Sequence, residues 1–150
     1  MPRLTLDTPT GPLTVTETAG VITAVTWGAG GTDETPLLTE ARAQLAAYFD
    51  GTRNRFELPL RVEGSEFQRA VCDAMLAIPP GETRTYGDIA RDLDHPAQAV
   101  GQACGGNPIP VIIPCHRVLA AGGLGGYSGG GGIETKVWLL RHEGAAGLLI

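Results

Sequence analysis

Apolar and polar residues alternate along residues 3–27, with Leu4, Leu6, Leu13, Val15, Val21, Val25 and Trp27 carrying the repeat and Gly-Pro and Ala-Gly breaks between. A period of two belongs to half-buried antiparallel strands, so this stretch predicts a small β-meander. The period then lengthens. Pro36 suits a first helical position behind Thr35, and Leu38, Ala41, Leu45, Tyr48 and Phe49 recur at helical spacing until Gly51. That helix should cover one face of the sheet. Residues 52–64 read as a connection with one further strand, and the helical character beyond them puts a domain boundary near residue 62. The division expected is 1–62, an N-terminal α/β supporting domain, and 63–150, a C-terminal domain.

The second half is patterned mainly for helices. Ser65-Glu66-Phe67-Gln68 matches a capping box, and Phe67, Val71, Ala74, Met75 and Ile78 form an apolar stripe that Pro79-Pro80-Gly81 ends. Thr85-Tyr86-Gly87-Asp88 offers a second box, opening a short helix to about Leu93; after Asp94-His95-Pro96 another runs to Gly105-Gly106. Two short helices across a tight turn suggest helix-turn-helix. The second, Ala97-Gln98-Ala99-Val100-Gly101-Gln102-Ala103-Cys104, carries little bulk, which suits either close approach to a surface or tight packing inside the domain. The pattern leaves both open.

Ile109-Pro110-Val111-Ile112-Ile113 is too short for a helix and reads as a buried strand leading into Pro114-Cys115-His116-Arg117-Val118. Residues 122–132 contain eight glycines, the signature of a mobile loop, and a last helix spans about Ile133 to His142. The fold class expected is therefore α+β, a small sheet with a helix followed by a mainly helical domain.

Composition narrows the chemistry. The three cysteines, Cys72, Cys104 and Cys115, are odd in number with no disulfide-like or zinc-like spacing, which points to reduced thiols and a cytoplasmic setting. No apolar run reaches the roughly 20 residues of a membrane span, and Met1-Pro2-Arg3-Leu4 lacks a signal-peptide pattern. Eleven basic against sixteen acidic residues give a net charge of -5, and from Arg61 onward seven stand against nine. Any grip on nucleic acid must rest on local contacts rather than overall charge. Cys115, at the mouth of a buried segment beside a base and a cation, is the nucleophile candidate, because neighbouring positive character stabilises a thiolate. Adjacent side chains seldom bond directly, so His116 would take the thiol proton through a water, with Glu143 as the orienting acid.

Gly106-Asn107-Pro108, Ile113-Pro114-Cys115-His116-Arg117-Val118, Tyr127-Ser128-Gly129-Gly130 and Lys136-Val137-Trp138-Leu139-Leu140-Arg141-His142-Glu143-Gly144 stand in an order that resembles the O6-alkylguanine-DNA alkyltransferases. The resemblance covers about residues 65–147 and implies a ribonuclease H-like N-terminal domain and a winged-helix-like C-terminal one. It implies DNA repair in which O6-alkylguanine, and O4-alkylthymine, is flipped from the duplex and its alkyl group passes irreversibly to Cys115. His116 would be the water-linked base, Glu143 its acid and Asn107 the brace of the turn before the active-site strand. Tyr86 would help rotate the nucleotide, Tyr127 and Ser128 would contact the guanine, and Lys136 would line the pocket. Arg117 and Val118 would belong to the substrate-binding surface. The helix holding Ala97, Gln98 and Gly101 would enter the minor groove of double-stranded DNA, where small residues let backbone approach. The implied protein is a monomer with no cofactor, metal or membrane partner.

Three features depart from the family pattern. Gln98 stands where an arginine usually replaces the extruded base, the preceding turn is about two residues shorter, and Gly131-Gly132 look inserted. The family's zinc site, present in some members, is not recognisable. Two rivals remain at this point: an alkyltransferase-like lesion-binding protein, which lacks the acceptor cysteine that this chain has, and a Cys-His hydrolase or redox protein, which draws the two residues from separated segments.

Overall fold

The computed structural model describes residues 1–145, so the last five residues of the expected C-terminal domain lie outside the described residues. Strands β1 (Arg3–Leu6), β2 (Leu13–Thr18) and β3 (Val21–Trp27) form an antiparallel meander in that order, as the alternation predicts. Leu4, Leu6, Leu13, Val15, Ile22 and Val25 are buried on it. Helix α1 (Pro36–Asp50) packs on this sheet, its start fixed by the Thr35 hydroxyl accepting from the Leu38 amide and its end by Gly51 at φ 88. A left-handed cap of this kind favours glycine. The further strand expected in residues 52–64 is reduced to a single bridge, with Leu60 beside Ile22 on the free edge of β3. Only the amide of Ile22 to the Pro59 carbonyl and that of Arg61 to the Ile22 carbonyl are made there; Pro59 itself has no N–H to extend the ladder.

Helices α2 (Glu66–Leu76), α3 (Tyr86–Leu93) and α4 (Ala97–Gly105) follow, and α3 and α4 meet across Asp94-His95-Pro96 with Asp94 at φ 56. The box at Thr85 closes fully, hydroxyl to the Asp88 amide and Asp88 carboxylate to the Thr85 amide. The one at Ser65 closes by half. Its hydroxyl caps Gln68, but the Gln68 amide donates to the Ala103 carbonyl at 2.8 Å and so ties α2 to α4 instead of reaching back. Strands β4 (Arg84–Thr85) and β5 (Val118–Leu119) pair in parallel, and α5 (Ile133–His142) closes the domain. No helix among the described residues is long and apolar enough to cross a membrane. The mixed α+β class is the one expected.

Residues 109–113 are not the predicted strand. The Ile113 amide bonds to the Ile109 carbonyl at 2.8 Å, Pro110 bridges Ile113, and Val111 sits at φ 71. Pro110 inside the run, with Pro108 and Pro114 at its flanks, has no N–H to give a ladder, and the run is buried as a tight turn.

Candidate functional site

Cys115 opens a short 3-10 turn, Cys115–Arg117, immediately behind that buried run. Asn107 holds the segment from both ends: its Oδ1 accepts from the Ile109 amide at 3.0 Å and its Nδ2 donates to the Ile113 carbonyl at 2.9 Å. The thiol lies on the wall of a cavity of about 390 Å³ shared with Tyr86, Gly101, Cys104, Gly126, Tyr127 and Ser128. A second recess of about 350 Å³ reaches Cys115 from the N-terminal side, between Trp27 on β3 and Pro108 and Pro110.

Behind the thiol the 3-10 turn directs His116 and Arg117 inward. His116 Nε2 lies 2.8 Å from Glu143 Oε2, both side chains being buried. Arg117 grips the same carboxylate with Nε on Oε1 at 2.8 Å and Nη2 on Oε2 at 2.9 Å, and its Nη1 donates to the Ile78 carbonyl. Burial alone would raise the Glu143 carboxyl, but hydrogen bonds from His116 and Arg117, and then their charges, hold it far below the usual carboxylate range. An ionised Glu143 keeps a proton on Nε2 of neutral His116, which leaves Nδ1 as the ring's acceptor. That Nδ1 is buried and has no hydrogen-bond partner among the described residues. Burial lowers the His116 pKa against the pull of Glu143, so the ring rests neutral and able to take a proton.

The Cys115 thiol is pushed up by burial, while the Asn107 amide, the Lys136 ammonium and the Tyr127 hydroxyl each favour its thiolate. The Tyr127 hydroxyl is itself buried, and burial first, then the charge of Cys115, holds it protonated. Cys104, in the same cavity, is raised to about 12, by burial first and then by the charge of Cys115. The site therefore combines a more strongly supported thiol and a less supported one in a pocket large enough for a small planar group, with a neutral buried imidazole behind the wall.

Residues 66–145 match the family model described as the DNA binding domain of 6-O-methylguanine DNA methyltransferase, and residues 3–62 match its ribonuclease-like domain. The chain belongs to the 6-O-methylguanine DNA methyltransferase family. It is 45% identical over 150 residues to the methylated-DNA--protein-cysteine methyltransferase of Mycobacterium tuberculosis H37Rv, covering 93% of this chain and 90% of the relative. The enzyme of the same description from Methanosarcina acetivorans is 49% identical over 109 residues, 71% of this chain and 69% of its own. The Mycobacterium tuberculosis OGT solved in complex with DNA superposes with a TM-score of 0.86 at 41% identity, covering 97% of this chain and 94% of that one.

In this methyltransferase fold several residues named from the sequence sit elsewhere than expected. Arg117 does not belong to an outer binding surface, because its guanidinium is consumed by Glu143 and Ile78 inside the protein. Val118 is fully buried and off the cavity wall; its carbonyl accepts from Lys136. Lys136 does not line the pocket either. Its Nζ is buried and donates to the carbonyls of Val118, Leu124 and Gly126 at 2.7, 2.6 and 3.0 Å, and burial lowers its pKa to about 8. The glycine-rich segment expected to be mobile is thereby anchored, and further pinned by Thr135 on the Gly130 carbonyl and Ser128 on the Gly105 carbonyl. Gly129 and Gly130 lie flush on Trp27, where a Cβ on Gly130 would come 2.6 Å from Trp27 Cγ. Trp27 in turn meets the edge of Tyr127 at 6.1 Å. Tyr86 opens α3 and lines the cavity, while on α4 Ala97 and Gln98 are exposed and Gly101 reaches the cavity rim. Sequence reasoning missed Tyr48 on α1, whose hydroxyl donates to Glu143 Oε2 at 2.7 Å.

Proposed function

We propose that the chain is a methylated-DNA–protein-cysteine methyltransferase that flips O6-alkylguanine, and O4-alkylthymine, out of duplex DNA and keeps the alkyl group on Cys115. The observation that carries this reading is the supported thiol of Cys115 in a planar-group cavity with the His116–Glu143 couple behind it. In the step itself the thiol proton passes through one water to His116 Nδ1, and Sγ attacks the alkyl carbon. The S–C bond forms as the C–O6 bond breaks, and the electron pair left on the guanine oxygen is met by a proton. The Tyr127 hydroxyl, which borders the cavity with the thiol, gives that proton and regains one from the protonated His116 by way of the water, so the net charge is unchanged. Asn107 holds the turn that presents Cys115. The product is a thioether, which thiol exchange does not reverse, so each molecule acts once.

The exposed N-terminal turn of α4, with Ala97 and Gln98, enters the minor groove, and Gly101 and Tyr86 line the cavity beside it. The protein works as a cytoplasmic monomer divided near residue 62. An alkyltransferase-like binding module lacks an acceptor thiol, whereas here Cys115 lines the cavity. Titration with duplex DNA carrying O6-methylguanine tests the reading: repair should stop at one equivalent per protein and resume only with fresh protein. Continued repair by the same molecules would overturn it.

A further inference from the structure

Tyr48 belongs to α1 in the N-terminal half, 95 residues from the carboxylate it touches, and is 1% exposed. Its ring is wedged among Phe49, Phe56 and His142, with centroids 5.1, 5.5 and 5.1 Å away, and its carbonyl is met by His142 Nε2. A phenylalanine would fill that space equally well. The hydroxyl instead reaches Glu143 Oε2, the oxygen that also takes His116 Nε2 and Arg117 Nη2, so three donors share one carboxylate oxygen. An oxygen has two lone pairs, and donors that share them weaken one another's hold.

We propose that Tyr48 is a positioning residue supplied by the N-terminal domain, whose hydroxyl fixes Glu143 Oε2 and limits how strongly that carboxylate draws a proton onto His116. The proposal rests on the reading of His116 as the base that serves Cys115. The charged and titratable groups around this contact are Glu143, Arg117, His142 and, farther off, Tyr127 about Tyr48, with Glu143, Arg117 and Lys136 about His116. None of the others is a group that ordinarily titrates near pH 6 while facing the thiol, so an acid limb in the transfer rate belongs to His116.

The test is Tyr48→Phe in the full chain, which keeps the ring and removes one donor. Glu143 then gives more of its charge to His116, and the midpoint of the acid limb for transfer from O6-methylguanine duplex should rise by about half a unit to one unit. DNA affinity should hold. NMR titration of the imidazole of His116 in the resting protein should move with it, and 3-fluorotyrosine introduced at position 48, a stronger donor, should move both midpoints the other way. Opposite shifts cannot come from lost packing. Unmoved midpoints in both proteins, with only thermal stability changed, would make Tyr48 a core residue and overturn the proposal. A moved His116 titration in proteins that transfer nothing would uphold the link from Tyr48 and overturn the transferase reading.

Discussion

Replacing Arg117 separates an internal clamp from a DNA contact. Arg117→Met keeps most of the volume, removes two hydrogen bonds to Glu143 and one to the Ile78 carbonyl, and leaves a carboxylate 2% exposed beside a neutral His116. Breaking a buried pair from one side costs about 3–5 kcal/mol, because the remaining charge stays desolvated. With a urea dependence of about 2 kcal/mol per molar, the unfolding midpoint should fall by roughly 1.5–2.5 M. Much of that loss should return in Arg117→Met/Glu143→Gln, which removes both charges together. Binding of the single variant to duplex DNA at several salt concentrations should keep the slope of the parent, since the guanidinium never faces a phosphate. A phosphate-contacting arginine would take about one unit from that slope. A stability loss below about 1 kcal/mol, the scale of an exposed pair, together with a reduced slope would refute the inward assignment.

Glu143 is held ionised well below its ordinary value, so the stability it confers is present above about pH 4.5 and lost as pH falls through that value toward its depressed folded pKa. Glu143→Gln should flatten the acid side of a stability-against-pH curve and slow alkyl transfer more than it weakens DNA binding; an unchanged acid limb would count against the buried carboxylate. Gly130→Ala drives a methyl into Trp27 and should cost about 1–3 kcal/mol in denaturation while slowing transfer through the displaced Tyr127. Equal rate and midpoint in this variant would show that the loop does not depend on Trp27. Gln98→Arg should speed repair of duplex and leave reaction with free O6-substituted guanine unchanged, because it adds a cation only at the exposed turn of α4; an equal rise with both substrates would place its effect on the chemical step.

Local signals in the chain carried much of the fold. Thr35, Ser65 and Thr85 marked helix starts because capping is decided within three residues, and Gly51 marked a stop because its φ of 88 suits glycine. The run 109–113 misled because apolarity reports burial rather than conformation, and nothing local announces that Val111 turns at φ 71. The site divided along the same line. Cys115, His116 and Glu143 were legible from residue type and motif, but the inward course of Arg117 and Lys136 was not. A long cation beside a nucleophile reads as facing its ligand until the distant partner is known, and here the partners are Glu143, 26 residues away, and carbonyls of the glycine loop. Tyr48 left one faint trace: a tyrosine in a buried helical stripe needs a partner for its hydroxyl, and the sequence does not say which.

The cavity holds two thiols; the Lys136 ammonium favours ionisation of both, and only Cys115 has the Asn107 amide and the Tyr127 hydroxyl beside it as well. Peptide mapping by mass spectrometry after reaction with one equivalent of O6-methylguanine duplex tests that assignment most directly. A single methyl on the peptide containing Cys115, with Cys72 and Cys104 unmodified and no transfer in Cys115→Ser, is the result the structure predicts. A methyl on Cys104, or transfer that survives in Cys115→Ser, would contradict it.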